Sequence, residues 1–109
     1  MAINSWIQGL QAKLNEQCAL IEKYKHLGMQ LYLFGSATKS ETPHDLDILI
    51  LYPRNAMTQA MEVRNATVQY IKEVFGLPVD SVLLSFEEEQ QVLFAFKERA
   101  MRIFPMLET

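Results

Sequence analysis

Two aspartates stand two residues apart at the mouth of the most strand-like segment of this chain. Asp45 and Asp47 lead into Leu46-Asp-Ile-Leu-Ile-Leu-Tyr52, a run rich in Ile and Leu that Pro53 closes. A short run of large and β-branched apolar residues suits a pleated, half-buried strand, and proline cannot extend its ladder. Successive side chains in a strand point to opposite faces, so Asp45 and Asp47 share one face while Leu46, Ile48 and Ile50 enter a core on the other. The fold has to lay one sheet face on helices and leave two carboxylates at one end of the opposite face.

The flanking segments supply the other elements. Gln30 to Phe34 reads as a short strand ending in Gly35-Ser36. The eight residues 37–44 form a polar connection, with a helical turn after Ser36. A helix from about Ala56 to Phe75 presents Met57, Met61, Val68, Ile71 and Phe75 on one face, with Met57 and Met61 expected in the core. Gly76 ends it and Pro78 blocks continuation. Val79 to Leu84 is a third strand and carries Asp80. At the N-terminal side, Ser5 is placed to cap a helix running to about His26, with Trp6, Leu10, Leu14, Cys18, Ile21 and Tyr24 as its apolar stripe and Gly28 as its stop. Gly9 inside it costs roughly 1 kcal/mol relative to alanine. Ser85 and Glu88 form a capping-box pattern that opens a last helix through Val92, Leu93, Phe96, Ala100, Ile103 and Phe104 to Pro105. The order helix, strand, strand, helix, strand, helix defines an α/β (α+β) chain with a small mixed three- to four-stranded sheet. The long helical link makes the second and third strands parallel, and the short link makes the first two antiparallel.

Size and charge narrow the functional classes. A chain of 109 residues, half of them hydrophobic, suits one domain over residues 1–109 with a single core. The net charge is −3, and setting aside Asp45, Asp47 and Asp80 leaves ten acidic against ten basic residues. No basic stripe is visible, so a grip on long nucleic acid is not expected. The longest uncharged apolar run, Ile48 to Tyr52, is far too short to span a membrane. Met1-Ala-Ile-Asn-Ser-Trp6 lacks the pattern of a secretory signal, and the lone Cys18 has no internal partner, so a reducing cytoplasm is the expected location.

In this topology Gly35 and Ser36 end the first strand at the sheet edge where Asp45 and Asp47 begin the second, and Asp80 begins a parallel third strand at that edge. Three converging carboxylates repel one another unless a cation is present. Mg²⁺ takes oxygen ligands and completes its shell from substrate phosphates, and two such ions about 3.5–4 Å apart stabilise both oxygens of an in-line displacement. Gly35 allows close backbone approach to a phosphate, and Ser36 offers a hydroxyl and an amide. Each piece alone is commonplace: Gly-Ser marks turns, and Asp-x-Asp or a single strand aspartate is often only solvated. The joint order makes the pattern specific.

The run Leu33-Phe-Gly-Ser-Ala-Thr-Lys39 through Asp45-Leu-Asp-Ile-Leu-Ile50 resembles the nucleotidyltransferase superfamily related to DNA polymerase β, and within it the minimal nucleotidyltransferases. The likeness covers nearly the whole order of elements and implies the nucleotidyltransferase fold. It maps the family's Gly-Ser onto Gly35 and Ser36, its Asp-x-Asp onto Asp45 and Asp47, and its third carboxylate onto Asp80. The loop before the aspartates is shorter than in many members, and Ser40 stands where many have glycine. The resemblance implies transfer of a nucleoside monophosphate, AMP by preference, from an NTP such as ATP to a hydroxyl, with pyrophosphate released. Asp45, Asp47 and Asp80 would be the catalytic metal ligands for two Mg²⁺ ions, with Asp80 also as general base. Gly35, Ser36 and Lys39 would bind the nucleotide. Small members often serve as antitoxins that adenylylate a helical HEPN-type toxin, which implies a protein acceptor beside a small-molecule one. The alternative is an inactive nucleotidyltransferase-fold module that binds and neutralises a partner.

Other residues have plainer readings. Glu87, Glu88 and Glu89 suit a helix N-terminus better than a metal cluster. His26 and His44 lack zinc spacing with Cys18. Phe94, Phe96 and Phe104, if exposed, would form a patch for a partner or for a homo-oligomer; burial is the default.

Overall fold

A computed structural model describes residues 5–105. Helix α1 spans Ser5–Glu16 and α2 Cys18–Leu27, followed by strand β1 at Gln30–Phe34 and a 3₁₀ turn at Gly35–Thr38. Strand β2 is Leu46–Tyr52, α3 Met57–Phe75 and β3 Val79–Ser85. Two short helices, α4 at Phe86–Val92 and α5 at Phe94–Lys97, lead to strand β4 at Met101–Phe104. The four strands form one mixed sheet in the order β3-β2-β1-β4. β2 is parallel to β3 and antiparallel to β1, and β4 runs antiparallel along the other side of β1.

The three longer helices cover one face. Ile7, Leu10 and Leu14 of α1, Leu20, Ile21 and Tyr24 of α2, and Ala60, Val63 and Ile71 of α3 share a core with Leu31, Leu33, Leu46, Ile48 and Ile50 of the sheet. At its centre the Thr67 hydroxyl donates to the Val63 carbonyl (2.8 Å) and accepts from the Tyr24 hydroxyl (2.8 Å). Burial pushes the Tyr24 hydroxyl pKa up. The opposite sheet face is apolar along most of its length. Leu49 and Leu51 are buried there, level with Tyr32 and Gln30 of β1 and with Val82 and Leu84 of β3. α4 packs on β2 and β3, and the Phe94 ring meets Phe34 edge-on at 5.0 Å.

The strand and helix stops follow the local chemistry. Gly28 and Gly76 end α2 and α3 in left-handed conformations. Ser85 caps α4, accepting from the Glu88 amide while Glu88 Oε1 accepts from the Ser85 amide.

Four expectations are corrected. The first helix is two, broken at Gln17, where the backbone leaves helical geometry. An unbroken helix over 5–26 would run about 33 Å, against roughly 24 Å for the longest strands beneath it. The break turns α2 so that Leu20, Ile21 and Tyr24 face the core while Cys18 is exposed. The proposed cap by Ser5 falls outside what is described, because Ser5 is already helical and its side chain and the residue before it are not among the described ones. Met57 and Met61 are exposed, since α3 turns the smaller Ala60, Val63 and Thr67 inward. The last helix does not reach Pro105. Leu93 adopts a left-handed conformation (φ 51°) that ends α4, Arg99 does the same (φ 52°) after α5, and the chain returns as β4, burying Ile103 and Phe104. Phe96, for which burial is the default, is exposed, as are Val92 and Leu93, and Phe94 is half-buried.

Candidate active site

The apolar face of β2 opposite the long helices becomes polar at one end, and the register explains why. Asp47 lies level with Phe34, the last residue of β1, and with Asp80, the second residue of β3. Residues level on adjacent strands share a face and sit on backbones about 4.8 Å apart. Gly35 follows Phe34 and takes φ +79°, which strains any residue with a Cβ. A Cβ built there would lie 2.6 Å from Asp47 Oδ2. Two independent constraints therefore demand glycine: the left-handed turn and the carboxylate held against it.

Asp47 is half-buried beside this turn, Asp45 is half-buried just ahead of β2, and Asp80 is exposed at the rim. Burial raises the Asp47 carboxyl above the ordinary aspartate range, and the charges of Asp45, Asp80 and Glu98 raise it further, in that order. The four acidic groups thus form one electrostatic neighbourhood. Among the described residues, no three His, Cys, Asp or Glu side chains are drawn into a ready-made metal cage. The donors present are carboxylate oxygens on adjacent strands, mutually repelling and open on one side. Such hard donors fit a divalent cation that takes its other ligands from water or phosphate.

The turn beyond Gly35 is firmly held. The Thr38 hydroxyl donates to the Gly35 carbonyl (2.8 Å), the Lys39 amide donates to the Ser36 carbonyl (3.0 Å), and Ala37 is buried. Trp6 of α1 donates from Nε1 to the Ser40 carbonyl (2.8 Å), pinning the loop to the first helix. Ser36 and Lys39 remain exposed.

Three residues absent from the sequence reading join this edge. Lys97, Glu98 and Arg99, at the corner between α5 and β4, line a cleft of about 240 Å³ together with Gly35, Thr38 and Lys39. The Phe34–Phe94 contact carries α5 to the end of β1 and so sets the corner beside the glycine turn. No motif spacing marks these residues. They look like the solvated side of a helix until β4 is known to double back along β1.

An acidic sheet edge, a glycine turn against one carboxylate and a basic cleft beyond it share one end of this α+β domain. The chain belongs to the family of the nucleotidyltransferase domain, whose model matches residues 17–103. That span begins just before α2, takes in β1, β2 and β3 and ends within β4, so the resemblance seen in the motifs extends into all four strands. No curated protein and no solved structure matches the chain. Membership assigns the general chemistry of nucleotidyl transfer with an NTP substrate, and domains of this family generally use divalent metal ions. Among the described residues, no helix is long and apolar enough to cross a membrane.

Proposed function

We propose that this chain is an Mg²⁺-dependent nucleotidyltransferase that moves the nucleoside monophosphate of an NTP, AMP from ATP by preference, onto a hydroxyl of a partner protein or small molecule. The observation that carries the reading is the approach of Gly35 to Asp47, which sets a side-chain-free turn directly against a half-buried carboxylate. Asp45, Asp47 and Asp80 would hold the cations, which supply charge neutralisation to the triphosphate and to the reacting oxygens.

The chain's own residues divide the remaining work. Gly35 leaves room for phosphate oxygens, and Ser36 offers its exposed hydroxyl and amide. Lys39 neutralises phosphate charge from the loop. Asp80, exposed at the rim, faces the side from which an acceptor arrives and takes the proton of its hydroxyl as general base. The hydroxyl oxygen bonds to the α-phosphorus, the bond from that phosphorus to the β-phosphate oxygen breaks, and pyrophosphate leaves.

The openness of Asp80 suits a hydroxyl presented on a protein surface, and a helical HEPN-type toxin is the partner implied by the resemblance to minimal nucleotidyltransferases. In that setting the chain acts in the cytoplasm as an antitoxin. The test is label transfer from each α-labelled NTP to candidate acceptors in saturating Mg²⁺, with Asp47→Asn as control. Label on an acceptor that vanishes with Asp47→Asn is the expected result. A folded protein that labels no acceptor with any NTP, or an Asp47→Asn variant that labels as well as the parent, would defeat the reading.

A further inference from the structure

The cleft beyond the glycine turn holds more positive charge than its surroundings explain. Lys39 enters from the loop after the 3₁₀ turn, and Lys97 and Arg99 enter from the α5–β4 corner. All three are exposed, and among the described residues none is paired with a carboxylate; the ion pair found there is Lys13 with Glu16, elsewhere on the molecule. Glu98 is the one acid on the wall. The cleft abuts the carboxylate edge because Gly35, which lines it, stands directly against Asp47.

The corner is also fixed in shape. The Lys97 amide donates to the Leu93 carbonyl, that of Glu98 to Phe94, that of Arg99 to Phe96 and that of Ala100 to Ala95. Arg99 sits at φ 52°, a conformation that arginine seldom adopts. The backbone donors are spent, so an anion here is held by the side chains. At about 30 Å³ per water, 240 Å³ is room for roughly eight waters, more than a single small ion needs.

We infer that Lys97 and Arg99, acting with Lys39, are specificity-determining residues that bind the β- and γ-phosphates of the nucleotide and so select a triphosphate over shorter phosphate chains. This rests on the nucleotidyltransferase reading of the adjoining carboxylate edge. With the α-phosphate at the aspartates, the phosphates beyond it lead past Gly35 into the cleft. Arginine supplies a planar fork and lysine a point charge, a pairing suited to successive phosphate groups. Released pyrophosphate carries the same two groups and leaves from the same place.

The inference is tested by calorimetric titration of the full chain with ATP, ADP, AMP and inorganic tripolyphosphate. The proteins compared are the parent, Lys97→Gln/Arg99→Gln and the charge-conserving Lys97→Arg/Arg99→Lys. Each cation lost should weaken a phosphate contact roughly tenfold. The glutamine pair should thus bind ATP and tripolyphosphate about 100-fold more weakly, with AMP changed less than about threefold. The charge-conserving pair should stay close to the parent, which separates lost charge from lost fold. A glutamine pair that keeps the parent's ATP-to-AMP ratio overturns the inference while leaving nucleotidyl transfer standing. Tripolyphosphate binding that depends on Lys97 and Arg99, with no nucleotide bound by any protein, upholds the anion cleft and overturns the nucleotidyltransferase reading. A parent that binds neither ATP nor tripolyphosphate overturns both.

Discussion

Replacing Gly35 with alanine should cost more than the left-handed turn alone accounts for, and the surplus should trace to Asp47. Gly35 and Gly76 both adopt positive φ, +79° and +66°, but their surroundings differ. Nothing lies within 4 Å of a Cβ placed at Gly76, whereas one at Gly35 would fall 2.6 Å from Asp47 Oδ2. Gly76→Ala therefore measures the backbone term, roughly 1–2 kcal/mol. Gly35→Ala carries that term and also has to move the carboxylate, at a cost of about 0.5–1.5 kcal/mol for an off-rotamer aspartate. Each kcal/mol lowers Tm by about 4–8 °C in a domain near this size. The decisive measurement is a double-mutant cycle in metal-free buffer, with urea unfolding followed by fluorescence of the single tryptophan, Trp6. Asp47→Ala should return the Gly35→Ala cost to the Gly76→Ala value. In label transfer, a carboxylate displaced by about 1 Å should cost on the order of 100-fold in rate. Equal costs at the two glycines, unchanged by Asp47→Ala, would refute the contact and the site built on it.

Further expectations concern charge and packing. Asp47 has a raised pKa in the folded protein, so its contribution favours folding below the unfolded-state value and is lost as pH rises through the folded-state value; Asp47→Asn should raise Tm at pH 7 without metal, and the gain should fade as the buffer is taken below about pH 4. Divalent cation should narrow that gain at neutral pH by stabilising only the parent, as Tm across an Mg²⁺ titration would show. Thr67→Val leaves the buried Tyr24 hydroxyl without its acceptor and should cost about 1–3 kcal/mol, more than Tyr24→Phe, because Thr67 keeps its bond to Val63 in the latter; urea midpoints rank the two. Ser85→Ala removes half of the capping box and should cost roughly 1 kcal/mol in the same assay. Gly9→Ala, in the middle of α1 with open space around its Cβ, should instead stabilise by up to about 1 kcal/mol.

The parts of this fold that local chemistry dictates could be read directly. The Ile- and Leu-rich run Leu46–Tyr52 closed by Pro53, the stops at Gly28 and Gly76, and the length of the α3 crossover led to the right pairing of three strands and to the edge where Gly35, Asp47 and Asp80 stand. What could not be read depends on distant partners. β4 is only four residues long and forms because β1 has a free side; Phe96, Ala100, Ile103 and Phe104 on their own repeat like a helix. The turns at Leu93 and Arg99 that redirect the chain use residues which locally disfavour positive φ, and the break at Gln17 has no glycine or proline to announce it. The Lys97–Arg99 side of the site was hidden for the same reason as β4. The two methionines misled because an apolar spacing along α3 does not say whether the large or the small members turn inward.

The Trp6–Ser40 hydrogen bond and the Phe34–Phe94 contact tie the acidic edge to opposite ends of the described chain. A nascent chain that has emerged from the ribosome only through α3 and β3 therefore carries Asp45, Asp47, Asp80 and Lys39 but lacks Lys97, Glu98 and Arg99, and β1 still has an unsatisfied ladder. Competence to hold a triphosphate should appear only after the carboxylates are in place, as the α5–β4 corner folds back. Shortening the protein within 94–104 should accordingly remove substrate recognition before it removes the carboxylate cluster.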